Sequence, residues 1–510
     1  MPEYLAPGVY INEIPRLPPS IKTAPSNIAV FIGYTERLEL DSLSLLNIPT
    51  RISSLAEFKS CFGGNALHQF NITPVQRGQA SDVTLATKGY CLTQCSANFL
   101  LYRSIALFFS NGGCECYVVS VGDYGTNITA NSLLAGLRAI QQDVPASIVV
   151  MPDAVALDDQ YDCILVQQTL LTHCSQEPFK RFAILDIYQG YTATSRATSN
   201  DCIDVFCHNI GVNKLHYAAA YYPWLNTNMV RTSELSFANI RHVTELKTLL
   251  SMELALSYPK RDKKNQALHQ QRQSLIHRVA EARTASFNQK QYDEQQKVHQ
   301  LLLSASPFYS AIMTRLAEKL NLLPPSGAVC GVYVSIEATK GVWKAPANVS
   351  LSSVISPCQT INNQQQQELT ITPSGKSINA IRGFSGKGVL VWGARTLAGN
   401  DNEWRYIHVR RTATMIEQSI SEGLKGLAFE ANNPTLWSKA QGMTENFLMQ
   451  LWRAGALVGA KPDEAFFVNV GLNKTMTYTD IQQGRLIIQL GISMTRPAEF
   501  TILTIEQKIS

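Results

Sequence analysis

Apolar positions in the first half of the chain fall into short continuous runs. These are Asn27–Tyr34, Cys116–Val121, Ser147–Met151, Arg181–Ile187 and His216–Tyr221. Between them lie stretches with a 3.6-residue period: Phe99–Phe109, Ser132–Gln142, Asp159–Cys174 and Asp201–Ile210. The first of these stretches ends on Asn111-Gly112-Gly113, a helix-terminating signal. Uninterrupted apolar strands alternating with helices predict an α/β sheet covered on both faces. From Thr232 to Leu323 the pattern turns helical, with Leu268, Leu275, Ile276 and Val279 at helical spacing. Val329–Ile336 reads as a strand, and Asn362–Gln367 as a polar loop marking a domain boundary. In the last third, Pro434–Ala454 is amphipathic through Trp437, Phe447, Leu448, Leu451 and Trp452. Ala465–Ser510 then gives three β-patterned runs.

The two ends bear on function. The last run, with Phe500, Ile502, Leu503 and Ile505, continues almost to the final residue and has nothing after it in the chain. A bare strand edge invites pairing with another chain, and strand addition is a recognised way to hold a neighbour. The segment Met1–Pro25 carries Pro2, Pro7, Pro15, Pro18, Pro19 and Pro25. Proline fixes φ and removes a donor, so this is an extended arm, with one edge strand over Gly8–Asn12. Arms at both ends point to a subunit knitted into a polymer.

Composition adds limits. Of 510 residues 45% are apolar and only 16% charged, a sparseness that fits large subunit interfaces. A net charge of +5 is small for this length and does not call for nucleic acid. The basic, Gln-rich stretch Tyr258–Gln300 holds nine Lys or Arg against four Asp or Glu. It lacks the aromatic interleaving that stacks bases, and reads as a solvated helix. No apolar run is long enough to span a membrane, and no secretory signal opens the chain. The eleven cysteines show no C-x2-C pair, and no histidine completes a zinc pattern, so they read as reduced, mostly buried thiols.

Catalytic patterns are incomplete. Gly375-Lys376-Ser377 has Thr370 where a phosphate-binding loop needs its first glycine. Gly383–Gly388 has Lys387 where a nucleophile elbow needs its closing glycine. Neither a catalytic site nor a cofactor is expected.

An ordered set of fragments carries a resemblance. It runs from Pro7-Gly8-Val9-Tyr10 and Ala29–Gly33 through Phe108–Gly113, Met151-Pro152-Asp153-Ala154, Tyr221–Trp224 and Gly341–Asn348. It continues in Gly375–Arg382, Val391–Leu397, Trp404–Ile407, Val409-Arg410-Arg411 and Arg496–Phe500. In these the chain resembles the contractile tail sheath proteins of phage tails, tailocins and extracellular injection systems, the last branch most of all. The resemblance implies an arm over 1–26 and an α/β domain over 27–365 with an outer helical insertion at about 233–323. A C-terminal α+β sheath domain over 366–494 and a strand arm over 495–510 would follow. It implies a homo-oligomer of stacked, sixfold rings around an inner tube protein. Paralogous sheath subunits, baseplate and cap proteins would be further partners, with no nucleic acid and no membrane insertion. Assembly in the bacterial cytoplasm and release within a particle are expected. Val9, Tyr10 and Ile11 would form one donated strand, and Phe500, Ile502, Leu503 and Ile505 the other. Phe467, Val468, Val470, Ile487, Ile488 and Leu490 would receive them. Lys439, Glu445 and Arg453 on the amphipathic helix would face the tube. A phage or tailocin sheath, or an α/β enzyme, are the alternatives.

Overall fold

A computed structural model describes residues 21–76, 78–141, 144–178, 180–193, 201–258, 263–281 and 289–509. The chain forms two compact units: Pro25–Arg411, and Thr412–Ser510 together with the segment before Pro25.

The larger unit is built on a nine-stranded sheet. Its parallel centre runs, in spatial order, Ile378–Phe384, Ala218–Tyr222, Phe182–Asp186, Ile148–Val150, Ala29–Thr35 and Cys116–Asp123. Antiparallel strands close it: Gly388–Val391 and Val349–Ser350 at one edge, Thr50–Ile52 at the other. The central strands are buried on both faces, as continuous apolar runs require. Helices Leu101–Ser110 and Ser326–Lys340 pack together in one layer, and Ala130–Ala139 with Gln160–Cys174 in another.

Two buried carboxylates tie strands to helices. Asp153 accepts hydrogen bonds from the Tyr34 amide (2.7 Å) and from the amides of Leu100 (2.6 Å) and Leu101 (3.1 Å). It thereby serves the start of helix Leu101–Ser110, where amides lack partners. Asp186, at the end of its strand, accepts from the amide (2.9 Å) and hydroxyl of Ser326, the first residue of helix Ser326–Lys340.

That helix covers Val329–Ile336, where the β-branched run predicts a strand. The run is buried all round, so periodicity cannot separate helix from strand. Gly327 and Gly331 decide it: one helical turn apart, they press on the neighbouring helix. A Cβ on either would sit 2.4 Å from the Ser104 carbonyl oxygen or 2.5 Å from that of Phe108. The polar stretch expected as a loop is likewise a helix, Asn363–Thr370, opened by a capping box between Asn362 and Gln365. The compact units also meet at 411/412 rather than at the expected 365/366. Strands Ile378–Phe384 and Gly388–Val391 hydrogen-bond into the large sheet and so belong to the first unit.

A second core lies in the same unit. The three-stranded sheet of Phe70–Pro74, Lys88–Gln94 and Val83–Leu85 packs Ile72, Tyr90 and Leu92 with Leu246, Ile312 and Leu316 of the helical stretch. Asp82 pins it to helix Pro307–Leu320 through Arg315 (2.9 Å) and Lys319 (3.1 Å). No described helix is long and apolar enough to cross a membrane.

Candidate functional site: the terminal sheet and its helix

The smaller unit gathers the residues expected to link subunits. Asn433 caps helix Pro434–Arg453 by accepting from the Leu436 amide (3.0 Å), and Pro434 supplies the first turn. The helix buries Leu436, Ala440, Met443, Phe447, Leu448 and Leu451. The neighbouring sheet has the order Phe466–Val470, Arg485–Ile492, Thr501–Lys508, all antiparallel.

Register fixes which side chains share a face. Val468 stands opposite Leu490, Val470 opposite Ile488, Leu503 opposite Leu490 and Ile505 opposite Ile488. These six positions are buried on one face, with Leu486 and Ile492. Ile487, Phe467 and Phe500 are half-buried and Ile502 is 46% exposed, on the other face. There the Phe467 and Phe500 rings meet edge to face, 5.1 Å apart, over Gly491. A Cβ at Gly491 would fall 2.2 Å from the Phe467 ring, so glycine makes the aromatic contact possible.

The last strand reaches its place by a short return, Ser493–Phe500. The Ser493 amide donates to Ala465 O (2.8 Å) and the Ala498 amide to Glu464 O (3.0 Å). Ala498 holds φ at +59°, a conformation side chains disfavour. The far end is fixed by Ile509 N to Gly484 O (2.6 Å) and by Arg485, which pairs with Asp480 and lies 3.7 Å from Glu506. Thr477 donates from its amide and hydroxyl to Asp480, holding that carboxyl below its usual range.

Strand Thr501–Lys508, expected to reach another copy, thus pairs along its whole length with Arg485–Ile492 of its own chain. The expected donor and one expected receiving strand are partners, joined in cis. Among the described residues no further strand lies beyond Phe466–Val470 or beyond Thr501–Lys508. Val9, Tyr10 and Ile11 fall outside the described residues. Ile21–Ala24 is anchored within this unit. The Ala24 amide donates to Ser419 Oγ (2.8 Å), and Ile21 is buried against Gly423 of helix Ile407–Leu424.

On helix Pro434–Arg453, Lys439 pairs with Glu430 (2.5 Å), Glu445 accepts from Gln441 (2.7 Å), and Arg453 is exposed in the last turn. The Phe467–Phe500 contact and the Asp480–Arg485 clasp escaped sequence reasoning. The alternation Phe467-Val468-Asn469-Val470 carries the only signal for the first; the second spans five residues, across the short turn between helix Tyr478–Gln482 and strand Arg485–Ile492.

Residues 399–508 match the family model described as the phage tail sheath C-terminal domain. A structure of the anti-feeding prophage helical sheath in its contracted state matches at 26% identity and a TM-score of 0.58, over 98% of this chain and 99% of that one. A chain of the contracted anti-feeding prophage baseplate matches at 25% and 0.60, over 98% of each. The sheath complex of PVC, an extracellular contractile injection system, shares the fold at 23% and 0.57, over 99% and 98%. No curated protein matches significantly. Fold and matches together liken the chain to the sheath-type components of contractile injection systems. The C-terminal part of the chain carries the phage tail sheath C-terminal domain, and over nearly its whole length the chain is similar to chains of contractile sheath and baseplate structures.

Proposed function

We propose that the chain polymerises around an inner tube and contracts to drive it through a target membrane, with subunits linked by exchange of terminal strands. One observation carries this reading: a terminal sheet with no further strand at either edge among the described residues, whose last strand hangs on an eight-residue return. Leaving that strand unpaired would expose Leu503 and Ile505, at about 1.5–3 kcal/mol each. Replacing it with the same strand of a neighbour keeps every contact, so exchange costs only the opening of the return. The outer edge of Phe466–Val470 suits a second strand, that of Val9, Tyr10 and Ile11. Main-chain pairing tolerates relative tilt of the bodies it joins, which a contracting lattice needs. Energy would be stored in a metastable extended lattice, so no nucleotide or cofactor is required. Lys439, Glu445 and Arg453 are the proposed tube contacts. Sixfold rings, baseplate, cap and paralogous sheath partners, cytoplasmic assembly and release in a particle complete the reading.

Locking the strand in cis tests it. Gln489 stands opposite Thr504; a disulfide between Gln489→Cys and Thr504→Cys should leave a folded monomer that polymerises only after reduction. Deleting Glu499–Ser510 should likewise abolish polymers. Normal sheaths from the oxidised lock or from the deletion would refute strand exchange.

A further inference from the structure

The two edges of the nine-stranded sheet are unlike and complementary. At one edge the hairpin Glu39–Leu40/Leu43–Ser44 leads into Thr50–Ile52, and its base is tied to Ser120 of the adjacent strand by the amide of Asn47 (2.8 Å). Its turn residues Asp41 and Ser42 hold φ at +48° and +67°, the signature of a tight type I′ turn. Glycine would relieve both positions, yet the tip keeps a carboxylate and a hydroxyl there. Glu39, Asp41 and Ser42 are exposed, and Leu43 is 71% exposed beside them. The tip therefore presents acid next to leucine on a rigid mount.

Towards the other edge an open cleft of about 410 Å³ runs between helix Asn363–Thr370, Arg382 of strand Ile378–Phe384 and Trp392, which follows strand Gly388–Val391. Arg382 lines it. Its guanidinium donates to Asn363 Oδ1 (2.9 Å) and Gln366 Oε1 (2.5 Å), both neutral, and lies 5.4 Å from the Phe384 ring centre. Among the described residues no carboxylate pairs with Arg382. Trp392 and exposed Ile371 wall the cleft, and Phe384 backs Trp392 in ring contact at 4.6 Å. Lys387 is exposed in the adjoining turn. An oriented cation walled by apolar side chains is the chemical complement of a carboxylate next to a leucine.

Five strand spacings of about 4.8 Å separate the Arg382 strand from Cys116–Asp123, at least about 24 Å, so one copy cannot join its own two edges. Unlike, complementary patches on opposite ends of one body form head-to-tail contacts, which close into rings or continue as helices. We propose that the Leu40–Leu43 hairpin tip of one copy seats in the Arg382–Trp392 cleft of the next, a lateral contact independent of strand exchange. The proposal rests on the polymerising reading above.

The test uses the full chain co-expressed with its tube protein, with Leu43 replaced by photoreactive benzoylphenylalanine. Illuminated polymers should yield crosslinks between copies that map to residues 363–392. Arg382→Glu should raise the concentration for half-maximal assembly about tenfold, and adding Asp41→Arg to that chain should restore it. Polymers whose crosslinks map elsewhere, to residues 1–20 included, would overturn the contact while leaving the sheath reading intact. So would Arg382→Glu chains that assemble like the parent. An unmodified chain that never polymerises would overturn both.

Discussion

Asp153 and Asp186 do the same work beside neighbouring strands: each feeds carboxylate oxygens to the unpaired amides that open a helix. Burial pushes Asp153 up to about 6 and Asp186 up to about 7, while the hydrogen bonds they accept pull the other way. Both folded values lie above the unfolded value near 4, so the native state holds protons that the unfolded chain has released. Their contribution is fully present below about pH 4 and is lost as pH rises through 6 to 7. Asp186→Asn should flatten the fall in unfolding free energy between pH 4 and 7, by at most about 1.4 kcal/mol per pH unit. Asp153 leaves a residual slope that ends near pH 6. Chemical unfolding of the full chain across that range reads it, and an unchanged slope would show that Asp186 titrates normally. Asp153 stands out in the sequence within Met151–Ala154, yet its duty is invisible there, because its partners Tyr34 and Leu100 are far away in the chain. Gly327 and Gly331 are silent for the same reason: that they press against helix Leu101–Ser110 is known only from the fold.

At the scale of elements, alternation and caps were readable wherever one face meets solvent or a turn residue closes the run. Helix Pro434–Arg453 begins at its proline, and the three terminal strands fall where the β pattern placed them. Reading failed where burial is uniform, at Val329–Ile336, and where a helix is polar nearly all round, at Asn363–Thr370. It also could not show that Thr501–Lys508 folds back on its own chain, since a return as short as Ser493–Phe500 permits pairing in cis or in trans. The charges of helix Pro434–Arg453 give a prediction at this scale. Exposed pairs such as Lys439–Glu430 contribute about 0.2–1 kcal/mol, so reversing Lys439, Glu445 and Arg453 should shift monomer stability by about 1 kcal/mol or less. Co-purification with the tube protein should fall sharply. Unchanged tube capture would remove these residues from the contact.

Over the whole molecule, the α/β class was legible from the rhythm of strands and helices, and the likeness to tail sheath proteins from fragments spread along the chain. The division into units was not, because strands Ile378–Phe384 and Gly388–Val391 follow a polar stretch and then rejoin a sheet begun some 350 residues earlier. The second core was hidden too, since Phe70–Gln94 and the helical stretch after Thr232 meet only in space. The smaller unit holds Ile21–Ala24 against helix Ile407–Leu424 and the last strand in the terminal sheet. With the last strand held in the smaller unit, the proposed exchange would leave the large core undisturbed. The direct test is negative-stain electron microscopy of the chain co-expressed with its tube protein. Long striated cylinders, or shorter hollow contracted ones, are the expected result; discrete globular particles would contradict the account.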